Sequence, residues 1–218
     1  LHLSIRRQRQ MCIRDRAVPT ELKPRENRVA LTPDVVKELI SKGFQVKVET
    51  GAGEKSYLLD AEYTAVGAEM VADKNALYSA SDVVMHVNAP EPEEIRKMKK
   101  GAVLISFLYA AVSPDVVKAC VEAGVSAFSV DAIPRISRAQ KMDALSSQSN
   151  LAGYKTVLLA ANALGKIFPL LMTAAGTVKP ARVVIMGAGV AGLQAIATAK
   201  RLGAVSYTHL TLPTNREV

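Results

Sequence analysis

The stretch RVVIMGAGVAGLQAIATAKRLG, residues 182–203, decides how the chain is read. Arg182–Met186 is apolar after its first residue and rich in branched side chains, which predicts a buried strand. Gly187, Ala188, Gly189, Val190, Ala191 and Gly192 follow, and a helical pattern then runs through Leu202. This is GxGxxG set between a strand and a helix. Gly187 permits a tight turn, Gly189 leaves no side chain between the backbone and a pyrophosphate, and Gly192 lets helix and strand pack closely. The helix start offers free N–H groups and partial positive charge to phosphates. The motif alone also suits a glycine turn used only for packing; its setting points to dinucleotide binding. Such a fold places an acid about 20 residues on, at the end of the next strand, to hold the adenosine ribose. Ser206-Tyr207-Thr208-His209-Leu210 stands there, with no acid before Glu217. The expectation is a truncated piece with only the first βα unit of an incomplete second Rossmann domain.

Upstream, Ser146–Ile167 has a long helical pattern that Pro169 ends, expected to cross from a first domain to the second. Before it, helices and strands alternate. Thr32-Pro33 opens a helix with Val35, Val36, Leu39 and Ile40 on its apolar face, and Gly43 stops it. Phe44–Val48 reads as a strand, Asp60–Val66 as a short helix and Asp82–Val87 as an apolar strand. Glu93–Lys99 reads as an exposed, charged helix and Ala102–Phe107 as a buried strand. Ser113-Pro114 opens a helix with Val116, Val117, Cys120 and Val121 on one face, followed by strand Val125–Val130. Repetition of this kind predicts an α/β fold, a parallel sheet with flanking helices. The domains expected are residues 17–145, an interdomain helix and linker over 146–179, and the start of a dinucleotide fold over 180–204. Residues 1–16 and 205–218 lose the pattern and read as extraneous tails.

Composition narrows the class. The chain has 218 residues, 49% hydrophobic and 22% charged, as in ordinary globular proteins. Half of its net charge of +8 lies in the first sixteen residues, where five arginines face only Asp15. In the interior the charges are interspersed and aromatics are few, which argues against nucleic-acid binding. Cys12 and Cys120 have neither disulfide-framework nor zinc spacing. Thr156–Thr173 is interrupted by Asn162, Lys166 and Pro169, so no membrane-spanning segment is expected.

Several short texts resemble a known family. Pro19-Thr20-Glu21, Glu26–Pro33 and Glu49–Gly53 are similar to alanine dehydrogenases and transhydrogenase NAD-binding subunits. Pro134–Gln140, Asp143–Ser147, Asn150–Tyr154 and Gly187–Gly203 resemble the transhydrogenase branch, whose alpha subunit holds NAD(H). The resemblance covers about Ala17 to Ala204. It implies hydride transfer from NADH to NADP+ coupled to proton translocation. It also implies a homodimer on the cytoplasmic face of the inner membrane, with NADP(H) bound by a partner component and a membrane-spanning component beside it. By the same resemblance Arg135, Gln140, Asp143 and Ser146 contact the nicotinamide end of NAD(H), and Gly187–Gly192 its phosphates. Read from the residues alone, the Asp131–Asp143 loop is equally a solvated loop with a helix cap at Asp143.

The alternative is an alanine dehydrogenase-type enzyme. That branch carries a catalytic lysine in the segment matching Val87–Pro90 and a catalytic histidine in the segment matching Phe107–Tyr109. Here the positions are Asn88 and Tyr109. Oxidising an amine needs a general base; passing hydride between two nicotinamides needs binding, orientation and exclusion of water. No catalytic side chain and no metal ligand is therefore expected. A second alternative is an inert fragment. His86 reads as a packed neutral histidine. Arg28, matching an arginine that binds substrate carboxylate in alanine dehydrogenases, reads as structural or a remnant. Lys97, Lys99 and Lys100 read as a solvated helix end.

Overall fold

Ala17 and Val18 are neighbours in one strand, and each is fully buried in a different hydrophobic cluster. Successive side chains of a strand point to opposite faces, so the sheet they belong to is covered on both sides. The computed structural model describes residues 15–206. Two compact units divide between Pro134 and Arg135.

In the first unit the sheet is built from β1 (Asp15–Val18), β2 (Gln45–Glu49), β3 (Glu69–Val71), β4 (Val83–Asn88), β5 (Val103–Phe107) and β6 (Ser126–Ser129), in the order β3-β2-β1-β4-β5-β6. Every pairing is parallel. The crossovers carry α1 (Pro33–Ser41), α2 (Asp60–Ala65), α3 (Lys74–Ala80), α4 (Pro92–Ile95) and α5 (Pro114–Ala123). One face packs Leu77, Tyr78, Val84, Ile95 and Leu104; the other packs Val36, Val46, Val48 and Tyr63. This is the α/β parallel architecture expected.

The strand order reverses between β1 and β4, which makes their shared edge the topological switch point. There β1 pairs with β4 only through Arg16–Val83 and Ala17–Val84. Beyond Val84, β4 continues to Asn88 while β1 turns away, so a crevice opens at the carboxyl ends. The β4–β5 register also shifts between Met85 and Asn88.

Several boundaries differ from the sequence reading. The tail expected over residues 1–16 overlaps the sheet, because Asp15 pairs with Gln45 and Arg16 with Val46. Their charges are satisfied locally: Lys47 Nζ lies 3.2 Å from Asp15, and the Arg16 guanidinium lies 3.6 Å over the Phe44 ring. The exposed helix expected over Glu93–Lys99 is a single turn, Pro92–Ile95, with Glu94 and Ile95 buried. Ile95 and Met98 are core anchors, and Lys99 N donates to Tyr78 O as the chain turns in. On α5 the buried residues are Ala119 and Cys120, whereas Val117 and Val121 are exposed. The small side chains allow the closest approach, so that stripe faces inward and the expected valine face does not.

The second unit holds α6 (Ala144–Ala163), a hairpin of β7 (Leu171–Thr173) and β8 (Gly176–Val178), β9 (Arg182–Val183), α7 (Val190–Arg201) and β10 (Val205–Ser206). Helix α6 and the Arg135–Asp143 segment belong to this unit. Residues 146–179, expected as an interdomain helix and linker, are thus part of its body. Val157, Phe168, Ala181, Ala195, Ala199 and Ala204 form its core. No pattern in the sequence announces the hairpin. The buried strand expected over Arg182–Met186 is only two residues long, and Val184 and Met186 are exposed. Among the described residues only β10 pairs with β9, and a strand is buried by its neighbours, not by its own composition. Val205 and Ser206 do pair, with Arg182 and Val183, so the chain keeps its strand pattern two residues into the expected second tail. Residues 1–14 of the first expected tail, Cys12 included, and Tyr207–Val218 of the second lie outside the described residues.

Candidate functional site

The residues singled out in the second unit come together. An open cleft of about 590 Å³ is lined by Arg135, Ile136, Ser137, Gln140, Asp143, Ser146, Ser147, Asn150 and Val190. Its volume is that of a small-molecule site. One wall is a short 3-10 helix, Ser137–Met142. The second is the first turns of α6. The third is the start of α7, where the glycine turn ends.

Asp143 does the capping that its position suggests. Its Oδ1 accepts from Ser146 N at 2.9 Å, as the N-cap of α6. The Ser146 hydrogen bonds, and after them the nearby Arg135 charge, hold the Asp143 carboxyl below its usual range. Cap and cleft wall are the same residue, so both readings of this loop hold geometrically.

Gly187 takes φ +101°, the left-handed half of the map that glycine tolerates. A Cβ on Gly189 would meet nothing within 4 Å, whereas one on Gly192 would lie 1.9 Å from Gly187 O. The close approach at Gly192 is therefore mainly to the turn's own backbone; Ile185 of the preceding segment is 3.8 Å away. Gly189 is the N-cap of α7 and supplies no side-chain cap, so the first N–H groups of the helix have no intrahelical acceptor. Of the glycine-turn residues, Val190 lines the cleft; Ala188 and Ala191 belong to the turn and the first turn of α7.

Sequence reasoning missed Ser137, Ser147 and Asn150 as cleft residues. Asp143, Ser146 or Ser147, and Asn150 recur at helical three- and four-residue spacing, which is the signal that could have found the last two. It also missed Gly153. A Cβ there would sit 2.2 Å from Ala191 O, so α6 crosses the start of α7 at backbone contact.

The first unit presents a different picture. Asn88 and Tyr109 stand at the ends of neighbouring strands, but neither is arranged as a base. Asn88 Nδ2 donates to Glu26 Oε2 at 2.7 Å and to Glu21 Oε2 at 3.4 Å. Tyr109 is half exposed, with φ +47°, and its backbone N–H donates to Asp131. Burial pushes the Asp131 carboxyl up, but the Ser129 hydroxyl and the Tyr109 and Leu108 N–H groups outweigh it and hold it low. Arg28 is gripped by Glu26, with Nε–Oε1 at 2.8 Å and Nη2–Oε2 at 2.7 Å. Those bonds, with help from Asn88, bring the Glu26 carboxyl down to about 2. His86 is buried, its Nε2 2.9 Å from the Tyr78 hydroxyl and its Nδ1 3.1 Å from Glu21 Oε1. Lys99 reaches Asp82 at 2.7 Å. Among the described residues no group of His, Cys, Asp or Glu side chains is placed to hold a metal ion, and no helix is long and apolar enough to cross a membrane.

Fold and site together define a two-unit, Rossmann-like α/β protein whose second unit carries a glycine turn beside an open polar cleft. The family described as "Alanine dehydrogenase/PNT, N-terminal domain" matches residues 17–152, and "Alanine dehydrogenase/PNT, C-terminal domain" matches residues 156–217. The chain belongs to the alanine dehydrogenase/PNT family. It is 50% identical over 194 residues to the first of the split alpha-subunit chains of the Rhodospirillum rubrum NAD(P) transhydrogenase, covering 87% of this chain and 50% of that one. Against the alanine dehydrogenase of Bacillus subtilis the identity is 37% over 190 residues, covering 86% and 49%. The solved transhydrogenase of Sinorhizobium meliloti superposes with a TM-score of 0.85 at 45% identity, covering 88% of this chain and 57% of that one. The chain thus spans about half the length of the curated relatives it matches, and the transhydrogenase branch is the nearer of the two.

Proposed function

We infer that this chain is the NAD(H)-binding component of a proton-translocating NAD(P) transhydrogenase, with the dinucleotide seated in the Arg135–Val190 cleft. The observation that carries this is the convergence of Arg135, Gln140, Asp143 and Ser146 with the start of α7 on one open cleft. The residues fit the group. Gly189 leaves room for a pyrophosphate against the backbone, and the uncapped helix start offers N–H groups to it. Bound there, the nicotinamide supplies the hydride. Gln140 can meet a carboxamide with a donor and an acceptor, and Ser146 Oγ can do the same. Arg135, its charge balanced by Asp143, closes that end and orients the ring. The partner component brings NADP+, and the membrane component moves the proton. The first unit contributes no acid–base pair, because an asparagine cannot take up a proton at neutral pH. That favours hydride exchange between nicotinamides over an alanine dehydrogenase-type reaction.

Two finer points belong to the same proposal. The β7–β8 hairpin exposes Leu171, Met172 and Val178, a surface suited to a second copy in a homodimer on the cytoplasmic face of the inner membrane. Residues 205–216 supply no carboxylate for the adenosine ribose, so this chain alone holds NADH weakly and is inactive by itself. The test is NADH titration calorimetry on this chain and on a graft replacing residues from 205 onward with the matching segment of the Rhodospirillum rubrum relative. The graft binds NADH, and Arg135→Ala or Gln140→Ala weakens it about tenfold. A graft that turned over pyruvate and ammonia with NADH while ignoring NADP analogues would sink the reading.

A further inference from the structure

The deepest polar cluster of the first unit has no part in that proposal. It lies at the switch point, where β1 leaves β4 after the Ala17–Val84 pair. Past that point the N–H groups on the β1 side of β4 have no strand to pair with. Buried N–H groups do not go unpaired without cost. Here their acceptor is a side chain. Glu21 Oε1 takes Val87 N at 2.6 Å and His86 Nδ1 at 3.1 Å. Glu21 Oε2 takes Asn88 N at 3.2 Å and Asn88 Nδ2 at 3.4 Å. Each oxygen receives two donors, which is its full capacity. The Glu21 and His86 side chains are 4% and 3% exposed.

We propose that the switch-point crevice of the first unit is a binding site for a small carboxylate, filled by the chain's own Glu21. Two backbone N–H groups, a histidine N–H and an amide NH2 converging on one carboxylate are what such a site provides. The switch point is where sheets of this topology take ligands. In this protein the carboxylate is covalently supplied by the loop after β1, so the crevice is closed to carboxylates from solution. Burial pushes the Glu21 carboxyl up, and the His86, Val87 and Asn88 hydrogen bonds more than reverse it, in keeping with an anion held by its cage. The ionisable groups around His86 are those of a fixed network: Tyr78 from α3, Glu94 from α4 bonded to that hydroxyl at 3.3 Å, and Lys74 bridged to Glu94 at 2.7 Å. Glu26 and Arg28 lie on the far side of Asn88. The proposal is independent of how the second unit is read.

The test is chemical rescue of Glu21→Ala in the full chain. Thermal unfolding is followed by circular dichroism in sodium formate, sodium acetate, or sodium chloride at matched ionic strength. Wild type unfolds at one temperature in all three. E21A unfolds about 10 °C lower in chloride and recovers saturably in formate or acetate, with the Val87 and Asn88 amide resonances shifting in step. A folded E21A that ignores both carboxylates, responds equally to chloride, or is matched by wild type in its response overturns the proposal. If E21A folds only with formate present, the proposal stands. If it folds in none of the salts, Glu21→Gln decides. That variant keeps the shape but turns an NH2 against two donors. Stability equal to wild type overturns the proposal, and a loss of several degrees supports it.

Discussion

The two units treat the carboxyl ends of their strands in opposite ways. In the first, the loop after β1 sends Glu21 into the crevice and uses every donor there. In the second, the turn after β9 is glycine, Gly189 caps α7 without a side chain, and the cleft beside it stays open. The topology that makes a crevice is the same. What separates a structural crevice from a binding site is whether the chain satisfies its own donors.

The largest expected effect is on the open side. Gly153→Val places carbon where Ala191 O already sits, so α6 and α7 must separate. Overpacking of that kind costs about 3 kcal/mol, read by denaturant unfolding. Hydrogen exchange should rise in residues 144–206 and not in the first sheet; unchanged stability would show that the crossing has slack. On the filled side, Tyr78→Phe removes the hydroxyl between His86 and Glu94. Leaving a buried imidazole nitrogen unpaired costs about 1–3 kcal/mol, with faster exchange confined to the first unit. Spread of that change into the second unit would break the comparison.

Asp143→Ala uncaps α6 and is expected to lower the melting temperature by about 3 °C. It should weaken NADH binding by the grafted chain more than it lowers stability, because the same carboxylate faces Arg135. The smallest effect at neutral pH is at Glu26. Its carboxyl is lowered from 4.5 to about 2, so its contribution is complete above the unfolded value and is lost as pH falls through the folded one. Stability of wild type should therefore decline between pH 4.5 and about 2, and Glu26→Gln should flatten that limb in a pH series of melting curves.

Much of this is legible in the sequence. The alternation of strands and helices, the helix starts at Pro33 and Pro114, and the strand–glycine–helix text each depend on near neighbours, and the structure keeps them in that order. Arg135, Gln140, Asp143 and Ser146 are marked by resemblance, and the cleft gathers them. Glu21 gives no sign beyond its place in a short motif, since its partners are more than sixty residues away. The β7–β8 hairpin is hidden because neither three-residue strand carries a period. Strand β9 reads too long because apolar composition predicts burial only where neighbours exist to provide it.

The sequence by itself determined the α/β class, the glycine turn and the cap at Asp143, because these follow from local sterics and from hydrogen bonds within a few residues. Only the tertiary structure decided which crevice is filled and which is open. It also decided that Gly153 must be bare and that Asp15 and Arg16 belong to the sheet. Each of those depends on what a distant segment brings to the same place, and side-chain packing and donor satisfaction are set there, not along the chain.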